Sequence, residues 1–140
     1  MLKDRLFYLG ISLDEACYLC DCAAEIYEHL LYQCSFSKIL MTQMMQFLNI
    51  RLSEVDTLQW IQRKPWAKVK KMVVNAFVQA CWYTIWQQRN KARLEMRVFR
   101  QDKVLHEIIL NLKLQAAFWL SCSNRRDDTL WISSLFRVNL

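Results

Sequence analysis

Apolar residues recur at helical spacing through most of this chain. Over 35–48, Ile39, Leu40, Met44, Phe47 and Leu48 fall at three- and four-residue steps, which predicts a helix with one buried face. A longer pattern follows Pro65, a residue tolerated in a helix's first turn. From there Trp66, Val69, Val73, Ala76, Phe77, Ala80 and Thr84 share a face, which predicts one long helix. Asp102 is placed to cap a further helix with Leu105, Ile108, Ile109, Leu112, Ala116 and Trp119 inward. The two are expected to pack as an antiparallel hairpin. Lys3–Leu9 reads as a short helix stopped by Gly10. The segment 25–32, which contains His29, fits either helical turns or a short strand. Residues 53–62 read as a connector or short helix with Ser53 as cap, and 130–140 shows no clear period.

Gly and Pro each occur once in 140 residues, so the tight turns of a sheet lack their usual residues. The expected fold is mostly α. The expected organisation is a small N-terminal module over 1–50, then a connector over 51–64, a helical region over 65–120 and a tail over 121–140. The most apolar run, 72–86, is too short and too polar at Asn75, Gln79 and Thr84 for a membrane span of about 20 residues. It reads as a buried helix, and no membrane partner is expected.

Charge divides the chain. Residues 1–60 hold four Lys/Arg against eight acids, a net −4, and 61–140 hold fifteen against five, a net +10. A basic C-terminal part suggests an anionic partner, RNA or single-stranded DNA, with a solvated helix face as the plain alternative. On one unbroken helix, Lys64, Lys68, Lys71, Arg89, Arg93, Arg97 and Arg100 fall in one sector, with Trp82 and Trp86 between the two basic groups. Arg89, Arg93 and Arg97 lead as phosphate contacts, with Lys68 and Lys71 behind them. The two tryptophans either stack on unpaired bases or fill a core.

The chemistry concentrates near the N-terminus. Cys17, Cys20, His29 and Cys34 form a Cys-x2-Cys-x8-His-x4-Cys set. Three thiolates and one imidazole are what a closed tetrahedral zinc site requires, and a site so filled has no position for water. One structural Zn2+ is the expected cofactor. Cys22 is an alternative to Cys20, while Cys81 and Cys122 read as small buried hydrophobes. Six cysteines without a secretory signal at the N-terminus point to an intracellular, reducing compartment. A Cys34/His29 hydrolase lacks an orienting or oxyanion-stabilising group, and His106 stands alone.

Residues 2–95, more weakly in the middle stretch, resemble the zinc-binding domain found C-terminal to reverse transcriptase in plant non-LTR (LINE-type) retrotransposons, together with the segment that follows it. The resemblance is carried by Lys3, Asp4, Arg5 and Leu6, then Gly10 and Ile11, the four ligand candidates, Leu30, Phe36 and Ser37. A later Trp-x-x-Arg-Asn element is similar to one that follows that domain, and is carried by Tyr83, Trp86, Arg89, Asn90 and Arg93. Ser35, Met41 and Gln88 depart from the family's usual Pro, Trp and Glu. The resemblance implies a zinc-binding, non-catalytic piece of a retroelement polyprotein. It implies nucleic acid, an upstream polymerase domain or another protein as partner.

Overall fold

The structure is a computed structural model that describes residues 1–51 and 57–137; the expected Ser53 cap lies outside them. The fold is mostly α. Among the described residues there is no named strand, and the β-type pairing is one isolated antiparallel bridge between Ala16 and Ala24. The order is α1 (Lys3–Tyr8), a π-helical turn (His29–Gln33), α2 (Ser35–Leu48), α3 (Thr57–Arg63), α4 (Lys68–Glu95), α5 (Gln101–Lys113), α6 (Ala116–Cys122) and α7 (Arg126–Phe136). Among the described residues, no helix is long and apolar enough to cross a membrane.

The core runs along α4. Val69, Val73, Phe77, Cys81, Ile85 and Arg89 are buried at four-residue steps, flanked by Val74, Val78 and Gln88. The predicted face coincides with this row at Val69, Val73 and Phe77. Beyond them the buried row continues through Cys81 and Ile85, while Ala80 and Thr84 are only half-buried. The difference is about 100° around the helix, one residue of rotation. It follows from the partners, since α2, α5 and the π-helical turn all pack against α4. Helix α2 buries Phe36, Leu40, Met44 and Leu48, again at four-residue steps, and leaves Ile39 exposed. Asn49 ends it at φ 53°, a left-handed position that Asn tolerates better than most residues.

Three boundaries differ from the expected ones. Pro65 lies in the connector between α3 and α4 rather than in a first turn. There Trp60 and Trp66 meet edge to face at 5.6 Å, and Lys64 Nζ sits 4.1 Å from the Trp60 centroid. The helix starting at 101 stops at Lys113, so Ala116 and Trp119 bury their side chains from the separate α6. The tail also folds. Helix α7 puts Ile132 and Phe136 into the core, with Phe136 6.0 Å from Phe77 and 5.9 Å from Trp119 between ring centroids. Trp131 Nε1 donates to the Leu48 carbonyl at 3.3 Å, tying α7 to the end of α2.

Helix α4 ends at Glu95 because Met96 adopts the left-handed conformation, at φ 52°. Residues 97–100 then turn the chain into α5, which packs on both α4 and α2. The buried Gln88 amide oxygen accepts the Phe99 N–H at 3.1 Å and fixes this elbow.

Candidate metal centre

The four N-terminal ligand candidates come together although seventeen positions separate Cys17 from Cys34. One donor atom each from Cys17, Cys20, His29 and Cys34 lies within 4.8 Å of all the others, and the group can hold one metal ion. Cys17 and Cys34 Sγ are 3.9 Å apart, and Cys20 Sγ is 3.2 Å from His29 Nε2.

Local backbone chemistry explains each placement. The Cys17–Cys20 loop is closed at its base by the Ala16–Ala24 bridge, by Cys17 N–H to the Ala23 carbonyl, and by Glu25 N–H to the Glu15 carbonyl. Asp21 makes the tight reversal at φ 55° and donates its N–H to the Cys17 carbonyl. The segment around His29, for which helix and strand were both open from sequence, forms a π-helical turn. Its closing bond runs from Cys34 N–H to the His29 carbonyl at 2.7 Å. A bond spanning five residues sets the first and last of them side by side, whereas an ordinary α-turn would rotate Cys34 away. Ser37 Oγ donates to the Leu30 carbonyl and secures the junction with α2.

The thiols interact as a set. Donation from the Cys17 thiol to Cys34 raises the Cys17 pKa, and burial adds to the rise. The same bond lowers the Cys34 pKa; burial opposes this, while backbone N–H groups of Ser37 and Phe36 reinforce it. Burial raises Cys20, with the Cys22 N–H acting the other way. Donors aimed at sulfur support the negative charge that metal ligation requires. Cys22 itself is exposed and outside the group, with its thiol donating to the Cys20 carbonyl at 3.0 Å. All six cysteines are free; Cys81 is buried in α4, its thiol pushed up to about 12 by burial, and Cys122 is only half-buried.

Sequence reasoning missed the residue that joins this centre to the helices. Glu25 is fully buried. Its Oε1 accepts from Arg89 Nε at 2.9 Å, Arg89 Nη2 at 2.7 Å and Lys3 N–H at 2.9 Å. Its Oε2 takes the N–H of Tyr18, inside the Cys17–Cys20 loop, at 3.1 Å. Arg89 also donates to Asn90 Oδ1 and the Met1 carbonyl, and its guanidinium lies near both the Tyr18 and Trp86 rings. The expectation that Arg89 contacts phosphate is therefore corrected: its side chain is wholly buried and its donors serve Glu25. The signal for this was the Trp-x-x-Arg-Asn element, whose arginine and its neighbour Asn90 act together inside the protein. Nothing local marks Glu25 among its neighbours.

The remaining cations take separate positions. Lys68 and Arg93 are exposed on α4, and Lys71 Nζ donates to the Gln62 carbonyl at 2.7 Å. Arg97 and Arg100 lie beyond the Met96 break, so the single sector expected from Lys64 to Arg100 does not form. Trp82 is half-buried edge to face on Tyr32, whereas Trp86 and Tyr83 are exposed. No protein-family model matches the chain, and no curated protein or solved structure matches it either.

Proposed function

We propose that this chain is a non-catalytic, zinc-stapled module that holds single-stranded RNA or DNA, related to the domain that follows reverse transcriptase in plant non-LTR retrotransposons. The observation that carries the reading is the convergence of three sulfurs and one imidazole nitrogen within 4.8 Å. Zinc fits this donor set. Bonds of about 2.3 Å to sulfur at tetrahedral angles separate two sulfurs by ~3.8 Å, close to the 3.9 Å between Cys17 and Cys34. When bound, the ion supplies cross-linking rather than reactivity, because four protein ligands complete its coordination. Cys17, Cys20, His29 and Cys34 hold it, and the N–H groups behind Cys34 and Cys20 favour charge on those sulfurs.

The excess of Lys and Arg after residue 60 supports an anionic partner. Exposed Trp86 and Tyr83 offer flat surfaces for unpaired bases. Free thiols and the metal-ligand set favour a reducing, intracellular setting. A second reading, docking on a polymerase domain or another protein, is favoured by exposed Tyr8, Leu9, Ile11 and Leu13 beside α1. Nucleic-acid binding weakens steeply with salt and apolar docking does not.

Metal analysis of purified protein tests the zinc site. Wild type is expected to carry one Zn2+ per chain, Cys22→Ser the same, and His29→Ala clearly less. Equal zinc in wild type and His29→Ala rejects the assignment.

A further inference from the structure

Three cations converge on one ring at the α4–α5 elbow. Lys91 Nζ lies 5.0 Å, Arg97 Cζ 5.8 Å and Lys103 Nζ 4.4 Å from the Phe99 centroid. Any two of these charges are thus within about 11 Å of each other, comparable to the ~10 Å screening length at 0.1 M salt. None of the three forms an ion pair among the described residues. The acid nearest in sequence to Lys103, Asp102, is 3.3 Å from Arg100 instead. The ring face offsets only part of the mutual repulsion. The remainder is like-charge repulsion that a bound anion would relieve. The arrangement is preset by the backbone, since Gln88 holds the Phe99 N–H and Met96 fixes the turn.

We propose that Lys91, Arg97 and Lys103, gathered around Phe99, form a phosphate-holding subsite for a single strand of nucleic acid. This rests on the nucleic-acid reading above and names where the backbone of the strand is held. The exposed ring of Trp86 and the side chain of Arg93 fall on one face of α4, about seven residues and ~10 Å apart. Lys91 lies about 140° around α4 from Trp86 but only about 80° from Tyr83, so a strand with its phosphates at the elbow passes over the exposed Tyr83 ring. The exposed Tyr83 ring beside these cations favours a strand over a lipid surface. Exposed Leu94, Met96 and Val98 also border the elbow, so anionic vesicles belong in the test.

The experiment uses the zinc-loaded full chain with a fluorescent sixteen-nucleotide oligo-U or oligo-dT, titrated at several salt concentrations. Vesicles of phosphatidylserine and phosphatidylcholine form the second arm. The triple variant Lys91→Gln, Arg97→Gln, Lys103→Gln is compared with wild type and with Lys113→Gln, an exposed cation at the far end of α5. Each phosphate neutralised on a single strand contributes ~0.7 to the slope of log K against log salt, so the triple variant is expected to lose about 2 from that slope. Arg97→Gln alone loses about a third of this, and Lys113→Gln matches wild type. Unchanged zinc content and helical circular dichroism in the triple variant separate lost binding from lost folding. If wild type binds the oligonucleotides and the triple variant matches it in affinity and slope, the subsite is overturned and the nucleic-acid reading stands. If wild type binds neither oligonucleotide, both are overturned. Vesicle binding that the triple variant loses, with oligonucleotide binding unchanged, also overturns the subsite and assigns the elbow to a lipid surface.

Discussion

Glu25 and Arg89 are charged, fully buried and 64 residues apart in sequence, and they meet through paired hydrogen bonds. Removing one partner of such a pair leaves the other charged without compensation, at a cost of about 3–5 kcal/mol. Arg89→Ala and Glu25→Ala are each expected to lower unfolding stability by about that amount, measured by urea denaturation of the zinc-loaded protein. The double variant Glu25→Leu, Arg89→Met should recover only part of the loss, because an apolar pair strands no charge but leaves the Tyr18 and Lys3 N–H groups without their acceptor. If Arg89→Ala unfolds like wild type, the pair contributes nothing. Arg89 also shows what residue type alone conveys. An arginine in a basic helical stretch reads as a phosphate contact, and only the acid brought to it from residue 25 shows otherwise.

Elements are legible where local periodicity decides and illegible where tertiary partners do. The buried row of α2 and the first half of α4 follow from four-residue spacing of apolar side chains. The second half of α4 turns one residue further round because its partners α5 and the π-helical turn are not visible in a local window. Helix α7 does carry a period, since Trp131 and Leu135 pack on the core beside buried Ile132 and Phe136, but a window running on through Val138 to Leu140 blurs it. The four ligand candidates are legible from spacing alone. The π-helical turn that sets His29 beside Cys34 is not, since no residue preference marks it. Met96 ends α4 in a conformation that costs a side chain roughly 1–2 kcal/mol and costs glycine little. Its side chain is almost entirely exposed, so little packing is lost on truncation. Met96→Gly is expected to raise stability by up to about 1 kcal/mol in the same denaturation assay, the gain being reduced by glycine's greater freedom when unfolded. A loss of stability would mean that the Met96 side chain supports the elbow.

At the scale of the molecule, one hydrogen-bonded cluster joins metal loop, N-terminus and long helix. Tyr18 N–H, Lys3 N–H and Arg89 meet on a single carboxylate, and Arg89 reaches on to the Met1 carbonyl. Removing metal is therefore expected to act at a distance. Treating the protein with a strong chelator should free the Cys17–Cys20 loop, loosen Glu25, and speed amide hydrogen exchange near residues 85–92 of α4 as well as around the cysteines. Exchange in α7, which packs on Phe77 and Trp119 instead, should change least. Acceleration confined to residues 15–37 would show that the metal loop and α4 are energetically separate.

The long reach of that carboxylate also orders events as the chain is made. Glu25 leaves the ribosome well before its counter-charge, so a nascent chain carries an acid that has no burial site until residue 89 follows. The four donor residues are all made by residue 34, whereas the Arg89 donors reach Glu25 only after α2, α3 and most of α4 have followed. The bond between this carboxylate and the long helix therefore belongs to the late stages of assembly.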